Sequence, residues 1–233
     1  MAGTNGKPKV AFYWCSSCGG CEEAVVDLHE KILDVVAAVD IVFWPVAMDF
    51  KTKDVEAMED GSILVSFING AIRTTEQEEM AHPLRKKSKL VIAFGACSHT
   101  GGIPGLGNLW NRDTILKTVY EELPGLHNPD KNYPAMKLQD EGRTPTLPGF
   151  YNTVRTLDQV VDVDFYVPGC APTANIIAGA VGALLSGNLP PKGTVLAPDV
   201  ALCEECPKKD TKPSDLSFTN FRRPHTTAID PEV

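Results

Sequence analysis

Positive charge is what this chain is shortest of. Its 30 acidic residues outnumber 22 Lys and Arg, for a net charge of −8, and its longest basic run, Arg85-Lys86-Lys87, reads as a helix end. Nucleic acids are gripped through their phosphates by clustered Lys and Arg, so a nucleic-acid partner is excluded. Long apolar runs are missing too. The longest, Ile176 to Leu185, falls well short of the roughly 18 residues needed to cross a bilayer, which leaves no membrane span. The opening Met1-Ala2-Gly3-Thr4-Asn5-Gly6-Lys7-Pro8 has neither an apolar core nor a twin arginine, so no export signal is expected and the expected compartment is the cytoplasm. There is no internal repeat and no low-complexity tract. The glycines from Gly102 to Gly107 lack a following Lys-Ser/Thr, so they are not a phosphate loop.

What the chain does have is seven cysteines. In a reducing compartment that odd number argues for metal binding or redox chemistry rather than a disulfide framework. Their placement is the sharper signal. Lys9 to Trp14 runs into Cys15-Ser16-Ser17-Cys18-Gly19-Gly20-Cys21, Leu90 to Phe94 ends in Gly95-Ala96-Cys97, and Val163 to Val167 ends in Pro168-Gly169-Cys170. In an open parallel α/β sheet, ligands bind in the crevice beyond the carboxyl ends of the strands. Thiols delivered there by three separate strands can converge although they lie far apart in sequence.

The rest of the chain supports such a sheet. At 233 residues and 43% hydrophobic, it can bury a core for one large domain or a domain plus an appendage. After the first strand, Ala24, Val25, Leu28, Ile32, Val35 and Val36 recur at helical spacing. Strands follow at Ile41 to Trp44 and Ile63 to Ile68, and then a helix that Thr74 or Thr75 caps, with Glu78 as the capping-box partner of Thr75. A further helix is expected from about Asn111 to Glu122. Pro172 opens the last helix and Gly187-Asn188 stops it. Strands alternating with helices predict an α/β fold with a flavodoxin-like, doubly wound parallel sheet over residues 1–187. A long loop at about 123–160 and an irregular, cysteine-containing C-terminal segment at 188–233 depart from that pattern.

Three readings of the cysteines compete. Buried thiols are small hydrophobes, which accounts for Cys97 or Cys170 alone but not for three glycine-rich cysteine turns. Zinc is held by four cysteines in structural sites, usually brought in two local knuckles, whereas here two come singly from distant strands. Iron–sulfur clusters are typically held by four thiolates, with C-x-x-C the common local spacing. Gly19, Gly20, Gly95 and Gly169 then let backbone approach the cluster, and its amides offset the negative charge.

The segments Cys18-Gly19-Gly20-Cys21-Glu22, Gly95-Ala96-Cys97-Ser98-His99-Thr100-Gly101-Gly102 and Pro168-Gly169-Cys170-Ala171-Pro172 resemble the small subunit of [NiFe]-hydrogenases and the related 20 kDa subunit of respiratory complex I. The resemblance runs over roughly residues 8–187 and is strongest to the cytoplasmic methyl-viologen-reducing group linked to heterodisulfide reductase. It implies that Cys18, Cys21, Cys97 and Cys170 hold a [4Fe–4S] cluster facing a large subunit. Complex I relatives carry adjacent cysteines at the first motif, so C-x-x-C here favours the hydrogenase branch. Cys15 is surplus to the pattern. Together with Cys18 and Cys21 it imitates a ferredoxin run, but no fourth cysteine before a proline follows, so Cys15 is read as a buried or near-cluster thiol and not a ligand.

The family usually continues with cysteines for further clusters. Here only Cys203 and Cys206 follow before the end at Val233, so a second cluster there is expected to be truncated, lost or completed by a partner. Glu22 and Glu23 read as first-turn acids that complement a helix dipole, with a proton path as the second reading. His99 reads as a loop histidine or a cluster neighbour, Trp14 and Trp110 as packing residues, and His225 near Arg222-Arg223 as solvated. The function implied is an iron–sulfur electron-transfer subunit of a cytoplasmic [NiFe]-hydrogenase or hydrogenase-like complex, itself without catalytic residues. It would pass electrons between a hydrogenase-type large subunit and a downstream electron-transfer or reductase subunit. The rivals are a hydrogenase-derived adaptor without hydrogen chemistry and a flavodoxin-like zinc or thiol binding module.

Overall fold

A computed structural model of the chain describes residues 6–139 and 141–211. The expectations for the N-terminal start, for Arg222, Arg223 and His225, and for the chain's end lie outside those residues. The chain divides into two units, Met1–Ala197 and Pro198–Val233.

In the first unit β1 (Lys9–Trp14), β2 (Asp40–Phe43), β3 (Ile63–Asn69), β4 (Ile72–Thr74), β5 (Ser88–Phe94), β6 (Phe150–Arg155) and β7 (Phe165–Val167) alternate with helices. The helices are α1 (Gly20–Val26), α2 (Lys31–Ala38), α3 (Thr52–Glu56), α4 (Thr75–Lys87), α5 (Ala96–Thr100), α6 (Gly102–Gly105), α7 (Arg112–Lys117) and α8 (Ala174–Ser186). Five strands form one sheet in the order β2-β1-β3-β5-β7, and every neighbouring pair is parallel. Counted along the sheet's own strands this is 2-1-3-4-5, the flavodoxin-like arrangement, whose direction reverses between β1 and β3.

Strand residues alternate between two cores. Val10, Phe12, Val65, Phe67, Ile92 and Phe94 pack with Ala24, Val25 and Leu28 and with Ile177, Ala180 and Leu184 of α8. Ala11, Ile68, Val91 and Ala93 pack on the other face with Val55 of α3 and with Met80, Ala81 and Leu84 of α4. Both faces are covered, which is why these strands read as continuous apolar runs.

Four sequence expectations need correction. The helical pattern after β1 is not one helix: His29 adopts a left-handed φ of 53°, and the chain breaks between α1 and α2. Thr74, not Thr75, caps α4, and its capping-box partner is Gln77, because Glu78 is taken up by Arg155 and Tyr151. Pro172, expected in the first turn of α8, stands before it: Thr173 is the N-cap, its hydroxyl accepting from the Ile176 N–H. The stretch 123–160 is not loop throughout: β6 pairs antiparallel with β4, and Leu157 beyond it is fully buried.

The first unit runs past Gly187, the C-cap of α8, to Ala197. Residues between the two belong with the sheet, because Val195 bridges Tyr166 of β7 and the Leu196 N–H donates to the Tyr166 carbonyl at 2.7 Å. Among the described residues no helix is long and apolar enough to cross a membrane. The second unit holds α9 (Leu202–Glu205), and Cys203 and Cys206 are both exposed.

Candidate metal centre

Three strand ends build the centre. The loop after β1 turns at Gly19 and enters α1, which carries Cys21. Gly95 follows β5 and leads through Ala96 into Cys97 on α5. Gly169 follows β7 and precedes Cys170. Backbone bonds tie the last two together: the Gly95 N–H donates to the Val167 carbonyl and the Ala96 N–H to the Gly169 carbonyl, both at 2.7 Å. The parallel pairing of β5 with β7 therefore carries on past the strands and fixes Cys97 relative to Cys170.

The four thiols form one electrostatic group. Burial, then the charges of Cys97, Cys18 and Cys170, then Glu22, push the Cys21 thiol up to about 12. The Cys97 thiol is raised chiefly by burial, with Cys170 and Cys18 adding to it and the Ile103 N–H pulling the other way. Cys21 and Cys97 are buried, whereas Cys18 and Cys170 are exposed, so the group opens to the surface along one side.

Space around these sulfurs is cut to glycine. At Gly95 a Cβ would collide with Cys21 Sγ, and at Gly102 it would lie 2.9 Å from Cys97 Sγ. The Gly20 N–H points at Cys18 Sγ across 3.4 Å. Beside Cys97, the hydroxyl of Ser98 is fully buried and has no hydrogen-bond partner, an orphan of the kind a bound group satisfies. Four thiols, glycine-cleared space and inward amides fit an iron–sulfur cluster, whose ligands are thiolates and whose sulfides accept amide hydrogen bonds. Among the described residues no three His, Cys, Asp or Glu side chains stand close enough to share a single metal ion.

Cys15 is set apart from this group. It packs in the opposite core, with Ile68, Ile72 and Ala93, while Cys21 packs in the first. Its thiol is raised by burial and then by Glu22.

Glu22 is a first-turn acid of α1, as expected, but it is buried. Only 4% exposed, it accepts hydrogen bonds from Trp44 Nε1 and Asn69 Nδ2. Burial pushes its carboxyl up to about 7 against those two bonds. The sequence reading missed Asn69 and Trp44. The available signal was polarity: Asn69 ends a central strand whose only other polar residue is Ser66, and an unpaired amide there would be costly. His99 packs against Tyr166 with ring centroids 4.5 Å apart and the ring planes tilted by 35°. Trp14 lies over Gly19, but Trp110, expected to pack, is 57% exposed.

The fold and the site define a flavodoxin-like α/β protein that gathers four thiols at its strand ends, a frame for a redox centre. The chain belongs to the family of the NADH ubiquinone oxidoreductase 20 Kd subunit, whose model matches residues 18–184. That span contains Cys18, Cys21, Cys97 and Cys170 and leaves out Cys15, Cys203 and Cys206.

Among its relatives is the iron-sulfur subunit of the F420-non-reducing hydrogenase of Archaeoglobus profundus, 40% identical over 85% of this chain and 62% of the relative. Another is a subunit of the F420-non-reducing hydrogenase of Methanothermobacter thermautotrophicus, 36% identical over 93% of this chain and 64% of the relative. The chain thus spans less than two thirds of the length of either. A crystal structure of an NAD+-reducing [NiFe]-hydrogenase in the H2-reduced state matches with a TM-score of 0.66 and 26% identity, covering 78% of this chain and 92% of that one.

Proposed function

We propose that the chain is the iron–sulfur electron-transfer subunit of a hydrogenase-type oxidoreductase complex in the cytoplasm. In this reading Cys18, Cys21, Cys97 and Cys170 hold one [4Fe–4S] cluster. A hydrogenase-type large subunit docks at that rim, and a downstream electron-transfer or reductase subunit receives the electrons. The observation that carries the reading is the convergence of four thiols from three strand ends into one electrostatic group. The relatives' names, an iron-sulfur subunit of a hydrogenase and an NAD+-reducing [NiFe]-hydrogenase, support the same partners.

Delivery of two of the four thiols singly, from the distant ends of β5 and β7, also favours a cluster over zinc, whose structural sites usually take their ligands from local knuckles. A cluster there supplies one-electron storage at a potential between about −700 and +450 mV, set by its surroundings. The chain's own residues do the rest. The four cysteines hold, Gly95 and Gly102 clear the space, and the Gly20 and Ile103 amides offset negative charge on Cys18 and Cys97. Burial of Cys21 and Cys97 keeps water from two of the four corners. No side chain of this chain makes or breaks substrate bonds. Cys203 and Cys206 supply two ligands of a second centre, the others coming from outside that pair.

The test uses the assembled complex. With Cys170→Ser, hydrogen-driven reduction of methyl viologen should fall to background while hydrogen–deuterium exchange at the large subunit persists. A wild-type complex that shows no exchange but does carry a reducible cluster would mark the chain as an adaptor without hydrogen chemistry. Full viologen reduction with Cys170→Ser would overturn the reading.

A further inference from the structure

Asn69 touches the cysteine loop at both of its ends. It is the last residue of β3, in register between Trp14 of β1 and Phe94 of β5. It therefore stands between the strand that delivers Cys18 and Cys21 and the strand that delivers Cys97. It is fully buried. Its carbonyl accepts from the Cys15 N–H at 2.8 Å, and its Oδ1 accepts from the Ser17 hydroxyl at 2.8 Å. Its Nδ2 donates to the Glu22 carboxylate and, at 3.4 Å, to the Tyr13 carbonyl. The amide side chain has two donor hydrogens and one oxygen, and all are used on the segment 13–22.

The hold passes on to the sulfur-bearing residues. Ser17 Oγ, fixed by Asn69, accepts from the Gly19 N–H at 3.2 Å, which sets the turn between Cys18 and Cys21. Glu22, fixed on its other oxygen by Trp44, directly follows Cys21. Cys18 and Cys21 thus lie between two points anchored to one side chain on a neighbouring strand. A purely structural asparagine would satisfy its own polar atoms anywhere nearby, whereas this one binds both flanks of a single ligand loop.

We infer that Asn69 is the positioning residue of the Cys18/Cys21 loop, holding these two thiols ready to receive and retain the cluster. The inference rests on the cluster reading above. Partners behind metal ligands typically carry about ten- to hundredfold in metal affinity, and that sets the expected effect.

The test swaps the polarity of the Asn69–Glu22 hydrogen bond in the full-length chain. Asn69→Asp keeps the acceptor for Ser17 but turns an oxygen toward the Glu22 carboxylate. Asn69→Asp with Glu22→Gln restores a bond whose donor now sits on residue 22. The readouts are iron and acid-labile sulfide per chain, the rate of cluster loss to a chelator, the electron paramagnetic resonance line shape, and thermal unfolding of the iron-free protein.

Asn69→Asp should speed cluster loss about tenfold or more and change the line shape, and the double variant should recover most of the wild-type rate. Ser17→Ala, which leaves Asn69 Oδ1 without its donor, should speed loss by more than its lowering of the iron-free protein's unfolding temperature accounts for. Wild-type retention in Asn69→Asp, or a double variant no better than the single one, would overturn the inference. Should every variant lose cluster only in proportion to a lowered unfolding temperature, the role is structural and the inference is equally overturned. A wild-type chain that takes up no iron and sulfide would instead overturn the cluster reading, and this inference with it.

Discussion

Gly95→Ala is the substitution whose consequences the structure fixes most tightly. Gly95 has φ 85° and ψ 165°, a region open essentially to glycine alone, where another residue costs about 1–3 kcal/mol. The new methyl group would also strike Cys21 Sγ, a side chain only 6% exposed with little room to retreat. Overpacking of that kind costs about 1–3 kcal/mol. The loss of about 4 kcal/mol is a large part of the 5–15 kcal/mol typical of a domain. With a urea dependence of about 2 kcal/mol per molar, the unfolding midpoint should drop by about 2 M. Because the collision displaces one of the four proposed ligands, bound iron and sulfide should fall as well. Gly61→Ala is the control: Gly61 also has a positive φ, of 68°, but nothing lies within 4 Å of its added Cβ. It should cost about 1 kcal/mol and leave the iron content unchanged. If urea titration and iron analysis give the two variants the same midpoint and the same metal content, the crowding argued for the strand ends is wrong.

Three further outcomes follow from the same geometry. Cys97→Ser should remove most of the low-temperature paramagnetic signal of the reduced cluster, whereas Cys15→Ser, which changes a thiol in the opposite core, should leave it in place; equal damage from both would refute the ligand assignment. Glu78 is held below the usual carboxylate range, first by its hydrogen bond from Arg155 and then by Tyr151. A depressed folded pKa contributes stability above the unfolded value near 4.3 and loses it as pH falls through the folded one. Glu78→Gln should therefore cost about 1 kcal/mol at pH 7 and almost nothing near pH 2, and a cost independent of pH in chemical denaturation would contradict that pairing. Leu157→Ala should cost about 3 kcal/mol, because the side chain is fully buried in the second core with Ile72 and Leu84; a change below 1 kcal/mol in the same assay would show that this segment packs loosely.

The sheet was legible in the sequence because parallel strands buried on both faces read as apolar runs, as Lys9 to Trp14 and Ile63 to Ile68 do. The thiol rim was legible because cysteines and glycines recur where those runs stop. Other features were settled by tertiary partners that no local pattern carries. Glu78 sits correctly for a capping box with Thr75, yet Arg155 and Tyr151, more than seventy residues away, claim it and leave the cap to Gln77. β6 holds strand-favouring Phe150, Tyr151, Thr153 and Val154, but it is mostly exposed and lies in a proline-rich stretch, so only its pairing with β4 settles it as a strand. Glu22 reads as a first-turn acid by its place at a helix start. Only the fold brings Trp44 and Asn69 to its two oxygens.

Iron and acid-labile sulfide, counted per chain in protein purified without oxygen, bear most directly on what the four thiols hold. About four of each are expected when the first centre alone is filled, with broad absorption near 400 nm that is lost in Cys21→Ser. Zinc in place of iron, with no sulfide and no such absorption, would contradict it.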